Sequence, residues 1–259
     1  MNKKWNADNL VSARSENINR YKRNFLKQVV CELRFPTVME LGDARPPSSL
    51  VAALRKEYPH LELANEVTFG FGGGAQGGGS NSHIFRSSKL NWVVSVKQSA
   101  LSIETSSYTE FDQLKERVLK VVTAAEKVID TDFFTRVGLR YINSIAADNT
   151  DPADGWINAS LVEPLRSKKF TGVQEYAGRL HIVSDDGGCL LQHGIGNQSP
   201  VRDLKNRFPE YLIDIDAFRT DVAVFETGAA LDAMHQQAFD VFDWCLGNKA
   251  REHLSFKGN

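Results

Sequence analysis

Nowhere does this chain approach the roughly 18 consecutive apolar residues that a membrane helix needs, and the stretch Met1 to Asn24 holds no apolar core of the kind a secretion leader carries. An exported or embedded protein is not expected, and a cytoplasmic one is. Excess charge of one sign is lacking as well. Against 32 Asp and Glu stand 31 Lys and Arg, a formal net charge of −1, so no global field draws the chain to nucleic acid or anionic lipid. Cysteine is scarce: Cys31, Cys189 and Cys245 are scattered and odd in number, which fits buried, reduced thiols rather than a disulfide frame.

Catalytic signatures are missing too. There is no G-x-S-x-G elbow and no Gly-Lys-Ser/Thr phosphate loop, and the six histidines show neither H-x-x-x-H nor H-E-x-x-H spacing. Cys189 and His193 share a strand but lie about 13 Å apart at ~3.3 Å per residue, too far to hold one metal. The glycine-rich stretch Gly70 to Gly79 formally contains G-x-G-x-x-G at Gly72 to Gly77, but a strand-like Ser80 to Phe85 follows where a dinucleotide site needs a helix. It reads as a flexible connector.

The apolar residues that are present make an α+β pattern. Phe25 to Phe35 reads as a strand stopped by Pro36. Pro46-Pro47-Ser48 opens a short helix with Ser48 as N-cap. Trp92, Val94, Val96 and then Leu101, Ile103, Thr105 alternate on either side of a turn at Gln98-Ser99, the clearest hairpin in the chain. Thr109 with Asp112 resembles a capping box for a helix carrying Phe111, Leu114, Val118, Val121, Val122, Ala125 and Ile129. Arg136 to Ile145 returns as a strand. After a linker-like Asp148 to Gly155 come a short segment at 156–165 and a hairpin with arms 173–183 and 189–195. A strand at 211–218 and a closing helix from Leu231 to Gly247 complete the chain.

Antiparallel sheets with helices on one face follow from this pattern. Each half can be written β-α-β-β-β-α, which allows two tandem units, 25–147 and 148–259, packed as one globule behind a basic arm at 1–24. That arm has six Lys/Arg against Asp8 and Glu16, with Trp5 and Leu10 nearly its only large apolar groups. It reads as loosely held, and as a basic arm of the kind that can lie on a phosphate backbone.

Candidate binding residues lie in two strands. Asp214 and Asp216, two apart, point to one face and could hold Mg²⁺ or be ion-paired. Arg140, with Tyr141 and Asn143 beside it, needs a carboxylate, phosphate or base; an internal pair with Asp214 or Asp216 competes with ligand contact. On the last helix Phe239, Phe242 and Trp244 widen the apolar arc beyond what one sheet needs, which points to a homodimer interface.

Three stretches resemble the sporadically distributed, uncharacterised prokaryotic proteins of similar length. They are Phe85-Arg86-Ser87-Ser88 through Trp92-Val93-Val94 and Leu101 to Thr105 to Tyr108-Thr109-Glu110-Phe111; Arg136 to Asn143; and Leu212 to Asp216 with the helix from Leu231 to His235. The resemblance spans about residues 25 to 246 and brings no activity or site residues with it. The patchy occurrence of such proteins implies mobile genes, as in host (antiviral) defence or toxin–antitoxin traffic. With the neutral charge and missing motifs, it gives the expectation of a non-catalytic protein-binding or regulatory component, without a cofactor. A metal-dependent enzyme acting on nucleotides or nucleic acid at Asp214 and Asp216 is the second reading, and a nucleic-acid binder using the arm the third.

Overall fold

The computed structural model describes residues 4–18, 21–65, 81–145, 151, 153–173, 175–195 and 210–255. The Gly-rich stretch 70–79 and most of the linker before Asp151 lie outside them. Among the described residues five α-helices accompany nine strands in one sheet, ordered β2-β3-β4-β5-β1-β6-β9-β8-β7; the strand pairs with described registers are antiparallel. This is an α+β fold. Chain contacts divide it into two compact units, one holding Gln28–Leu139 with Arg219–Leu231 and the other Lys4–Lys27, Arg140–Phe218 and Asp232–Asn259.

In the first unit, β1 (Leu26–Arg34) follows from its run of β-branched and apolar residues, and Cys31 pairs with Ile103 of β5 (Ala100–Thr105). Lys97 opposes Ala100, so β4 (Trp92–Lys97) and β5 are joined by the two-residue turn Gln98-Ser99 that the alternation requires. Val29, Cys31, Leu33, Val94, Val96, Leu101 and Ile103 are fully buried, each contributing about 1.5–3 kcal/mol of transfer free energy when large. The alternate positions of β1 and β5 stay partly exposed and carry polar ladders: Gln28 Nε2 donates to Glu104 Oε2 at 3.0 Å and Arg34 Nε to Glu32 Oε1 at 2.7 Å.

α1 (Ser48–Leu54) has Pro47, not Ser48, at its N-cap, with no side-chain bond. β2 (His60–Asn65), not foreseen, pairs along its length with β3 (Asn81–Arg86). α2 (Phe111–Ile129) buries the expected stripe, but its N-cap is Glu110, and the Thr109 hydroxyl turns to Gln113 Oε1 at 2.9 Å instead of closing a capping box. Asp130 ends the helix at φ +44°, a left-handed position that Asp tolerates better than most.

In the second unit, β7 (Tyr176–Ser184) and β8 (Gly187–Ile195) form a hairpin closed by Asp185-Asp186. The strands β6 (Phe133–Ile145) and β9 (Tyr211–Ala223) contribute residues to both units. α3 (Ala159–Arg166) is capped by Asn158, whose side chain accepts from Ser160 N–H. α4 (Thr227–Cys245) stops where expected: Gly247 N–H donates to Trp156 O at 2.7 Å, and a Cβ there would meet Gly155 O at 2.2 Å. Beyond it α5 (Asn248–Ser255) adds an element with only Ala250 and Leu254 buried.

The N-terminal segment differs from the loose arm read from the sequence. Trp5 is 1% exposed and Ala7 is fully buried. The Asp186 carboxylate accepts the N–H groups of Asn6 and Ala7 at 2.6 and 3.0 Å, and Gln237 of α4 donates to Ala7 O at 2.6 Å. Further along, Asp240 of α4 takes Arg14 Nη1 at 2.8 Å and Ser15 N–H at 2.9 Å, and Asp243 binds Asn17 and the Tyr21 hydroxyl. The segment is held by acceptors far away in the chain, which its own composition does not reveal.

Candidate functional site

β-strand alternation splits the five candidate residues between two sheet faces. Arg140 of β6 lies on the partly exposed face with Asp214 and Asp216 of β9. Its Nε and Nη2 donate to Asp214 Oδ1 and Oδ2 at 2.8 and 2.6 Å, a bidentate pair formed across 74 residues of sequence. The Arg140 side chain is 45% exposed and that of Asp214 16%. Donating its hydrogen bonds to Asp214 raises the guanidinium pKa against the opposing effect of burial, with the charges of Asp214 and Asp216 adding to it. The internal-pair alternative is therefore the one realised. Ile142 and Leu212, both half-buried, flank the pair on the same face, and half-buried Phe218 lies further along β9 with its ring 6.2 Å from His181.

Tyr141 and Asn143 do not join this surface. Both are buried on the opposite face, where the Tyr141 hydroxyl meets His235 Nδ1 of α4 at 2.8 Å and Asn143 Nδ2 reaches Ile213 O at 3.4 Å. Their odd numbering beside an outward Arg140 was the signal, and it places them in the packing. His193 behaves alike: its Nδ1 lies 2.7 Å from the Tyr211 hydroxyl, and burial lowers its pKa.

Both oxygens of Asp214 accept from Arg140, so a metal ion at Asp214 and Asp216 would have to compete with that pair. Among the described residues no group of three or more His, Cys, Asp or Glu is placed to hold a metal ion. The three cysteines are free and buried; burial pushes the Cys31 thiol up to about 12, with Glu32 adding to the shift, the direction opposite to that of a reactive thiolate.

The dimer argument at Phe239, Phe242 and Trp244 changes as well. The N-terminal segment covers part of the apolar arc within the chain: the Tyr21 ring lies 5.9 Å from Phe239, which in turn lies 6.2 Å from Phe242. Trp244 stays about one-third exposed, and its carbonyl accepts from Asn158 Nδ2 at 2.7 Å.

Three groups escaped the sequence reading. Asp240 and Asp243 are buried acids anchoring the N-terminal segment; burial opposes ionisation of Asp243, but bonds from Tyr21, Ser15 and Asn17 and the charge of Arg251 hold its pKa below the usual range. Arg219 is fully buried in β9; continuing the odd-numbered series Tyr211, Ile213, Ile215, Ala217 would have placed it inside. His83 is fully buried, and among the described residues only the Leu41 backbone and the charge of Asp43 act on its ring in favour of the protonated form.

No family model matches the chain, and no curated protein does. No helix among the described residues is long and apolar enough to cross a membrane.

Proposed function

We propose that this chain is a non-catalytic binding protein that docks another protein on the partly exposed sheet face around Arg140. The observation that carries this reading is the Arg140–Asp214 pair. A guanidinium clamped by two bonds to one carboxylate, yet 45% exposed, is fixed in orientation before a partner arrives, so little rotamer entropy is lost on docking. Half-buried Ile142 and Leu212 beside it, with Phe218 further along the same face of β9, supply the apolar and aromatic area typical of an interface core. Association with a prokaryotic conflict system is what the resemblance adds, and the gene neighbourhood tests it.

The element order supports two tandem units with helices against one sheet face. β6-α3-β7-β8-β9-α4 repeats β1-α1-β3-β4-β5-α2, with β2 as an extra strand in the first half. As for the nucleic-acid reading, it loses Arg14, which is spent on Asp240.

Capture from the cells that express the chain, quantified for the native protein and for Arg140→Glu at matched stability, tests the proposal. A protein retained by the native chain and lost with Arg140→Glu supports it. Retention that ignores the substitution moves the docking surface elsewhere, and saturable Mn²⁺ binding abolished by Asp216→Asn would replace this reading by the metal-dependent one.

A further inference from the structure

In the first unit, the loop from β3 to β4, the segment from β5 to α2 and the first turns of α2 wall an open cleft of about 600 Å³. The Arg117 guanidinium of α2 lies over the Trp92 ring at 4.6 Å, a contact that fixes the guanidinium plane. The loop that carries Lys89 and Asn91 is itself fixed: Ser87 N–H donates to Trp92 O at 2.9 Å, Leu90 N–H to Ser87 O at 2.8 Å, and Leu90 sits at φ +58°.

The side-chain hydrogen-bond inventory of this cleft is lopsided. Its acceptors are taken from within: Asn91 Oδ1 accepts from the Ser87 hydroxyl at 3.1 Å and Gln113 Oε1 from the Thr109 hydroxyl at 2.9 Å. The carboxylates are engaged as well, Glu57 with Arg117 at 3.3 Å and Lys120 at 3.7 Å, and Glu116 with Lys120 at 2.8 Å. What remains is donors. The amide NH₂ groups of Asn91 and Gln113 face no described acceptor, Lys89 has no carboxylate partner among the described residues, and Arg117 gives one of its five N–H groups to Glu57. Next to them lies the hydroxyl of Tyr58, 2% exposed, on which the Arg117 guanidinium acts both as a hydrogen-bond donor and as a charge.

A cleft whose amide oxygens and carboxylates each already meet a donor, and whose spare groups include four donors, two of them cationic, selects an acceptor-rich anion. We propose that it binds the phosphate group of a small phosphate monoester, with Lys89 and Arg117 as charge partners and Asn91 and Gln113 as neutral donors. The open volume beyond that group has room for the organic part of such a ligand. The site is independent of the docking face around Arg140, so either can fail alone.

The test is an NMR titration of the full chain, following the Asn91 and Gln113 side-chain amides and the Trp92 indole N–H. The probes are inorganic phosphate, a nucleoside 5′-monophosphate and the corresponding nucleoside. Saturable shifts at those three groups are expected with both phosphates, with a dissociation constant for inorganic phosphate of roughly millimolar, and none with the nucleoside. Arg117→Gln and Lys89→Ala should each weaken binding by about tenfold, equivalent to ~1.4 kcal/mol. Arg117 also packs on Trp92, so its loss can disturb the fold. Lys89 is exposed and pairs with no carboxylate among the described residues, which keeps Lys89→Ala decisive. No saturation by ~20 mM phosphate, a range ample for a millimolar site, overturns the proposal. So does unchanged affinity in Lys89→Ala, or a nucleoside that binds as well as its monophosphate.

Discussion

Replacing Trp5 by Ala removes the largest side chain of the docked N-terminal segment. Trp5 is 1% exposed, and a buried Trp withdraws some 150–250 Å² from water. At about 25 cal/mol per Å² that is ~4–6 kcal/mol, an upper figure because the unfolded chain already shields part of it. Large-to-small core substitutions of Trp fall at about 3–5 kcal/mol, and we take that range for Trp5→Ala. Excising the segment is a poorer experiment, since the ordering entropy of its residues, ~1–2 kcal/mol each, is returned at the same time. Urea unfolding followed by far-UV circular dichroism reads the effect as a fall in midpoint at unchanged slope. A second variant, Asp186→Ala, removes the acceptor for the exposed Asn6 N–H and the part-buried Ala7 N–H and is expected to cost about 1 kcal/mol, through the Ala7 donor it strands. If both variants unfold within about 0.5 kcal/mol of the native chain, the scatter expected of an ordinary surface substitution, the segment is not docked and the α4 arc it covers is open.

Three other outcomes follow. His83→Leu should flatten the acid side of the stability profile: burial lowers the His83 pKa, only partly offset by the Leu41 backbone and Asp43, so the unfolded chain alone takes up the proton just below pH ~6.5. Stability is then complete above that pH and falls by up to about 1.4 kcal/mol per unit below it, and an unchanged slope in the variant would show that folded His83 protonates freely; His193 contributes in the same direction and is left in place. Gly247→Ala should lower stability by about 1–3 kcal/mol, because its Cβ would stand 2.2 Å from Gly155 O, a backbone atom; a neutral result by urea titration means the connection yields. Sedimentation equilibrium at micromolar concentration should return a mass near 28.9 kDa, unaltered by Trp244→Glu, and a doubled mass would restore the dimer read from Phe239, Phe242 and Trp244.

What could be read from the sequence was whatever local periodicity decides. The β4–β5 hairpin was legible to the residue because alternation fixes both arms and leaves two residues for the turn, and a one-residue slip would turn Val94 and Ile103 outward. The α2 stripe was legible for the same reason at the helical period. Its start was not, since two adjacent polar residues, Thr109 and Glu110, can each precede the first turn, and only the packed structure selects between them. β2 was overlooked because it is a short strand next to Pro59 whose apolar residues, Leu61 and Leu63, remain nearly half exposed, and α5 because two buried side chains in eight residues make too faint a stripe.

The candidate site shows where local reasoning stops. That Arg140 needs an anion follows from its chemistry, and strand alternation already put Asp214 and Asp216 on one face; that the carboxylate is Asp214, held by two bonds, depends on the register of β6 against β9 and on nothing nearby in the chain. The N-terminal segment presents the same difficulty in reverse. Its own residues are polar and basic, so composition argues for solvent, yet its fastening consists of carboxylates from Asp186, Asp240 and Asp243, more than 170 residues away. A backbone N–H buried under such an acceptor costs about 1–3 kcal/mol to strand, whereas the same N–H in water costs nothing. The sign of the segment's contribution therefore turns on partners that no window of neighbouring residues contains, and the same acids explain why an apolar arc on α4 wider than one sheet face requires does not by itself call for a second chain.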